Sequence, residues 1–308
     1  MIKKILCIDG GGIKGVFAAS FLANIEKQID GKVADYFDLI VGTSTGGIIA
    51  LNLGLERSAN ETLGFYKEYG KSIFSGNRYF KRFRHILYSK YDQTALKAAL
   101  EKTFGAKTLG DSKKRLVIPS LDLNTGKIYI HKTAHHERFT SDFRRSIVEV
   151  ALSTSAAPTF FPAHLLPSGA PLVDGGIWAN NPTGMAVVEA LGILKWPSES
   201  LQILSLGCTS SPINKRRFGR GKLYWAFRAA DLFMRAQDSA SLGTAAVLCS
   251  HGQIKRIDPI VSSDRFALDS YKAIPELEGL GESCAREQFP LIKSFFIEKA
   301  KAFLPYHK

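Results

Sequence analysis

Residues 39–47 read Leu-Ile-Val-Gly-Thr-Ser-Thr-Gly-Gly and run on into the apolar stretch Ile48 to Leu55. A strand-like run, a Gly-x-Ser-x-Gly pentapeptide and a helix-like stretch, in that order, predict a serine held on a sharp strand-to-helix turn. Gly42 and Gly46 bring no Cβ atoms to clash where the chain reverses around Ser44. The turn raises the hydroxyl at the end of a sheet, beside a helix N-terminus that favours developing negative charge. That is the setting of a nucleophile. The competing reading is a glycine-rich turn with an incidental serine, so the rest of the chain must supply a base and an oxyanion hole.

The pattern along the chain fits such a turn. Lys3 to Ile8 reads as a strand buried on both faces, because its apolar residues are consecutive. Asp9 to Gly15 is a glycine loop, and Val16 to Ile29 follows as a helix with Phe17, Phe21, Leu22 and Ile25 at helical spacing. Phe37 to Val41, Arg115 to Ser120, Lys127 to His131 and Leu201 to Leu206 read as further strands. Ile147 to Ser153 reads as a helix end, and Phe289 to Leu304 as a terminal helix packed through Leu291, Ile292, Phe295, Phe296 and Phe303. This alternation predicts an α/β fold, a three-layer α/β/α sandwich around a central, mostly parallel sheet. With no repeat, linker or composition break, residues 1–308 are expected to form one domain. Its motif-bearing part is about 4–208; residues 209–308 complete it, with a basic region at 209–240 poor in strand pattern.

The glycine loop has two chemical readings and one bland one. Gly10-x-Gly12-x-x-Gly15 between a strand and a helix satisfies a dinucleotide-binding fingerprint, making the Gly10–Gly15 loop a phosphate cradle. No acidic residue follows the second strand, however, since Asp35 and Asp38 precede it. The same geometry serves an oxyanion hole, with the N–H groups of Gly10, Gly11 and Gly12 aimed at one oxygen. A plain tight turn is the third reading. For the base, His251 and His307 are the only histidines beyond residue 164, one without a distinctive motif and the other penultimate. Leu172-Val173-Asp174-Gly175-Gly176 offers an alternative: a carboxylate in reach of Ser44 takes its proton without a histidine. Taken alone, Asp174 is equally a turn or capping aspartate.

Four ordered motifs together resemble the patatin-like phospholipase family. They are Asp9-Gly10-Gly11-Gly12-Ile13-Lys14-Gly15, Gly42-Thr43-Ser44-Thr45-Gly46, Ala151 to Pro158 followed by Phe160-Phe161-Pro162, and Asp174-Gly175-Gly176. The resemblance implies lipid acyl hydrolysis through an acyl-serine, with Ser44 as nucleophile and Asp174 as proton acceptor. It makes the glycine loop the oxyanion hole, places Lys14 at the basic position of its motif, and implies no metal and no cofactor. Some bacterial members resembling this chain are antiphage effectors activated by cyclic oligonucleotides, so a cyclic nucleotide activator is a further implied partner.

The net charge of +13 calls for an anionic partner. Residues 71–84 carry five cations, three phenylalanines and a tyrosine with no acid, and 214–228 are also aromatic and wholly basic. Rings beside Lys and Arg suit an anionic membrane of phospholipids, while a lid over Ser44 formed by 71–84 or 209–240 stays open. The competing reading is a solvated basic surface with its rings turned inward. No nucleic-acid-binding module is recognisable, so no nucleic-acid polymer is expected, while a homo-oligomer stays open. No run reaches the roughly 18–20 apolar residues of a membrane span, and the start lacks the apolar core of a signal peptide. Four scattered cysteines, at 7, 208, 249 and 284, form neither a disulfide framework nor a zinc site. The expected location is cytoplasmic, acting at the inner face of the membrane.

Overall fold

The apolar run Lys3–Ile8 forms β1. In the computed structural model, which describes residues 1–75, 89–211, 221–262 and 265–307, it lies inside an eight-stranded sheet. β2 (Leu39–Gly42) pairs with one side of β1, and β3 (Arg115–Asp122) pairs with β2, all in parallel. On the far side of β3 lies the antiparallel β4 (Ile128–Lys132). β5 (His164–Leu165) and β6 (Pro171–Asp174) are also antiparallel, and β6 joins β3 at Ser120–Asp122. β7 (Leu201–Leu206) and then β8 (Ile254–Ile257) extend the other side of β1, again in parallel. The order is β5-β6-β3-β2-β1-β7-β8, with β4 on β3.

Alternation along the strands sorts their side chains into two cores, as the pleat requires. Ile5, Cys7, Leu39, Val41, Leu201 and Ile203 face one, together with Ala186 and Val187 of the helix Thr183–Val188 and Ala245 of the helix Gly221–Cys249. Leu6, Ile8, Ile40, Leu204 and Leu206 face the other, covered by the helices Gly15–Glu26, Thr45–Gly54 and Ile274–Ile292. Both faces of the sheet are therefore covered, the expected α/β architecture with a mostly parallel centre. From Gly221 onward, the basic 209–240 region belongs to the long helix Gly221–Cys249.

The C-terminus departs from expectation. The terminal helix runs Ile274–Ile292 rather than 289–304, and a 3-10 turn, Lys293–Phe296, follows it. Ile292, Phe295 and Phe296 are buried as expected, but Leu291 is exposed and Phe303 lies beyond the helix. The reason is tertiary. The buried Lys4 Nζ donates to the Phe295 carbonyl at 2.8 Å and to that of Glu298, so these carbonyls have a partner without further helical turns. Phe295 and Phe296 then dock on Phe37, with ring centroids 6.2 and 6.0 Å away.

Phe37 is fully buried in that cluster. Phe37→Ala is expected to cost about 3–5 kcal/mol of stability, read as a lowered urea midpoint with an unchanged slope.

Candidate active site

β2 ends at Gly42 and the helix Thr45–Gly54 starts three residues later, so the reversal falls on Ser44. Ser44 has φ 55° and ψ −122°, a conformation that a residue with a Cβ adopts only under constraint. The constraint is visible on both sides. A Cβ on Gly46 would strike the Ile8 and Asp9 carbonyls, and one on Gly42 would strike the Gly46 backbone, so only glycine lets the turn close. The Ser44 N–H donates to Thr154 Oγ1 at 3.0 Å, and that hydroxyl donates to the Pro119 carbonyl at 2.7 Å. Thr43 Oγ1 donates to the Ala179 carbonyl at 2.7 Å, and Thr45 Oγ1 lies 2.6 Å from the Tyr66 hydroxyl.

Asp174 is the last residue of β6, where the pairing with Ser120 brings it to the end of the sheet that carries Ser44. Its carboxyl lines the same cavity as Ser44, whose hydroxyl favours the ionised form. Oδ1 accepts the Gly176 N–H at 2.7 Å. Gly175 packs its α-carbon against the Pro119 carbonyl, and Gly176 lies close to Asp174 and Asn180, so neither site has room for a side chain without displacement. Burial pushes the Asp174 carboxyl up to about 6, against the opposing pull of the Ser44 hydroxyl and the Gly176 amide. The late histidines are elsewhere. His251 lies in an exposed turn, and the half-buried His307 bonds the Glu137 carbonyl at 2.7 Å.

The glycine loop lies across from this pair, and the structure corrects one of its three expected donors. The Gly10 N–H already donates to the Asn180 carbonyl at 3.0 Å, so it is not available to an oxyanion. Gly11 and Gly12 line the cavity beside Ser44, and among the described residues no protein acceptor engages their amides. Gly12 has φ +58° and abuts the Leu268 carbonyl, so glycine is needed there on both counts. Next in the chain, Ile13 N–H donates to that same Leu268 carbonyl at 2.8 Å. Lys14 Nζ ties the loop to the Thr209 carbonyl at 3.1 Å, and Gly15 makes room for the Thr45 side chain. Asp9, which opens the loop, is held by Arg256. Burial works against the Arg256 charge, but Asp9, Asp258 and Asp238 hold its pKa above the ordinary arginine value. Asn180, Leu268 and Arg256 carry no local motif; only the fold brings them here.

A cavity of about 450 Å³ opens onto Ser44, Asp174 and the Gly11–Gly12 amides. Ile48, Phe65, Ile73, Phe74, Leu96 and Phe161 make its wall apolar, and Phe233 and Met234 of the helix Gly221–Cys249 stand at its border. Such a lining accepts a hydrocarbon chain and delivers its polar end to the serine. Of the two basic stretches expected to meet a membrane or form a lid, 76–84 and 212–220 lie outside the described residues. Among the described residues no helix is long and apolar enough to cross a membrane.

Comparison with known proteins gives the same answer along the chain. The patatin-like phospholipase family model matches residues 6–187. The chain is 33% identical over 315 residues to a cGAMP-activated phospholipase of Pseudomonas aeruginosa, covering 98% of this chain and 94% of the relative. It is 30% identical over 335 residues to a cGAMP-activated phospholipase of Escherichia coli, covering 97% and 94%. Among solved structures it shares its fold with VipD from Legionella pneumophila, at TM-score 0.50 and 13% identity over 94% of this chain and 67% of that one.

A carboxyl that takes a proton from Ser44 must first be ionised. The rate constant kcat/KM on a soluble ester is therefore expected to rise with pH through a midpoint near 6, the raised value of Asp174, and to fall away below it.

Proposed function

The chain belongs to the patatin-like phospholipase family, and from that premise we propose that Ser44 and Asp174 form its catalytic dyad. The observation that carries this is Ser44 and Asp174 together at the polar end of an apolar cavity, with the Gly11 and Gly12 amides, unengaged among the described residues, alongside. Asp174 takes the hydroxyl proton as Ser44 Oγ attacks the ester carbonyl carbon of a phospholipid acyl chain. The carbonyl oxygen becomes an oxyanion held by the Gly11 and Gly12 amides. The tetrahedral intermediate collapses, the C–O bond to the lysolipid breaks, and Asp174 returns the proton to the departing oxygen. In the second half, Asp174 removes a proton from water as it attacks the acyl-serine carbonyl, then returns that proton to Ser44 Oγ as the acyl carbon–Oγ bond breaks, which frees the fatty acid and restores Ser44. No metal or cofactor enters this scheme. Use of the Gly10–Gly15 loop as a nucleotide phosphate cradle is disfavoured, because the Gly10 amide is occupied and the loop faces an apolar cavity.

Residues 1–308 act as one domain in this reading, since β8 and the helix Ile274–Ile292, beyond the matched 6–187, complete the sheet and one of its cores. The names of the two relatives support control by a cyclic nucleotide, cGAMP, and a role in antiviral defence follows from such control. The excess of 41 basic over 28 acidic residues supports action on an anionic phospholipid surface from the cytoplasmic side.

Ser44→Ala and Asp174→Asn are each expected to reduce fatty-acid release from phosphatidylglycerol-containing vesicles by roughly 10⁴-fold or more. Either variant keeping wild-type release contradicts the dyad. Added cGAMP is expected to raise wild-type release at least about tenfold. Full release without it contradicts the switch and leaves the dyad intact.

A further inference from the structure

Arg256, on β8, joins parts of the chain far apart in sequence. Nη1 and Nη2 grip the two oxygens of Asp9, 247 positions away, at 2.9 and 2.6 Å. Nη1 also donates to Ser205 Oγ at 2.9 Å, and Nη2 reaches Asp238 Oδ1 and Asp258 Oδ2 at 3.2 Å each. Asp238, in turn, accepts from Asn181 Nδ2 at 2.7 Å, and the neighbouring Asn180 carbonyl holds the Gly10 amide. One guanidinium therefore steadies the glycine loop at its entrance and, through Asp238, the segment that follows Asp174.

Three consecutive glycines have no side chains with which to fix their own peptide planes, and their backbone freedom is the largest of any residue. Their orientation must be set from outside. Asp9 does so at three points: its N–H donates to the Leu206 carbonyl at 2.9 Å, its carbonyl accepts the Cys208 thiol at 3.4 Å, and its carboxylate is forked by Arg256. A buried ion pair is in general a poor source of stability compared with apolar packing, so stability alone gives little reason to place one here. A planar fork does fix orientation, in a way that a lysine ammonium cannot.

We propose that Arg256 is a positioning residue that acts through Asp9 to aim the Gly11 and Gly12 amides at the oxyanion. This rests on the dyad and oxyanion-hole reading above. The test compares the full-length wild type with Arg256→Lys, Asp9→Asn and the double variant, on a soluble chromogenic ester at about pH 8 so that the base is ionised. Each single variant is expected to lose on the order of 10- to 100-fold in kcat, with KM within about two-fold of wild type. The double variant is expected to lose no more than the worse single, because both act through one contact. Unchanged kcat in Arg256→Lys overturns the proposal. So do losses that multiply in the double variant, or a rise in KM in place of the fall in kcat. Should Arg256→Lys fail to fold, Asp9→Asn alone decides, and a kcat within about two-fold of wild type overturns the proposal. Ser44→Ala in the same assay separates the two readings. If it stays active, the site reading fails, whereas an inactive Ser44→Ala beside a fully active Arg256→Lys overturns only the role of Arg256.

Discussion

Everything in this site depends on Ser44 being held at φ 55°, a backbone conformation it would leave if released. That conformation lifts the hydroxyl off the end of β2 and over the start of the helix Thr45–Gly54. It exists because Gly42 and Gly46 let three backbones approach where side chains would collide, and because Thr154 occupies the Ser44 amide. The strain is carried by the parallel pairing of β1 and β2, whose residues are almost all buried. The large, doubly covered sheet is thus the support of one serine.

Burial sets the chemistry around that serine. An aspartate in water is too weak a base to accept a proton from a hydroxyl efficiently, and its basicity rises as its charge is desolvated. Asp174 is almost wholly buried and its carboxyl sits near 6, yet the Gly176 amide and the Ser44 hydroxyl keep its ionised form supported. In the proposed reaction the same apolar cavity that desolvates the acid accepts an acyl chain, so substrate binding and base activation share one cause. A histidine is not needed for this arrangement, and the two late histidines lie away from it.

Local signals carried much of this into the amino-acid sequence. Apolar runs at Lys3–Ile8 and Leu201–Leu206 became strands with the boundaries their composition implied, because a strand buried on both faces needs little besides apolar residues. The glycines around Ser44 and Asp174 were legible because close backbone approach excludes every other residue. What stayed hidden depends on partners distant in the chain. The terminal helix stops at Ile292 because Lys4, some 290 positions away, captures the next carbonyls. Gly10 looked like an oxyanion donor as much as Gly11 and Gly12 did, and only the fold brings Asn180 to its amide. Arg256 has no motif at all, since its meaning lies in where β8 joins the sheet.

The central claim is that one serine attacks the ester carbonyl and that one aspartate makes it able to. A phosphonate analogue of a phospholipid ester, incubated with the protein and followed by peptide mapping, tests it directly. The account predicts a single covalent adduct on Ser44, forming much more slowly in Asp174→Asn. An adduct on any other residue, or an equal rate of Ser44 labelling in Asp174→Asn, would contradict it.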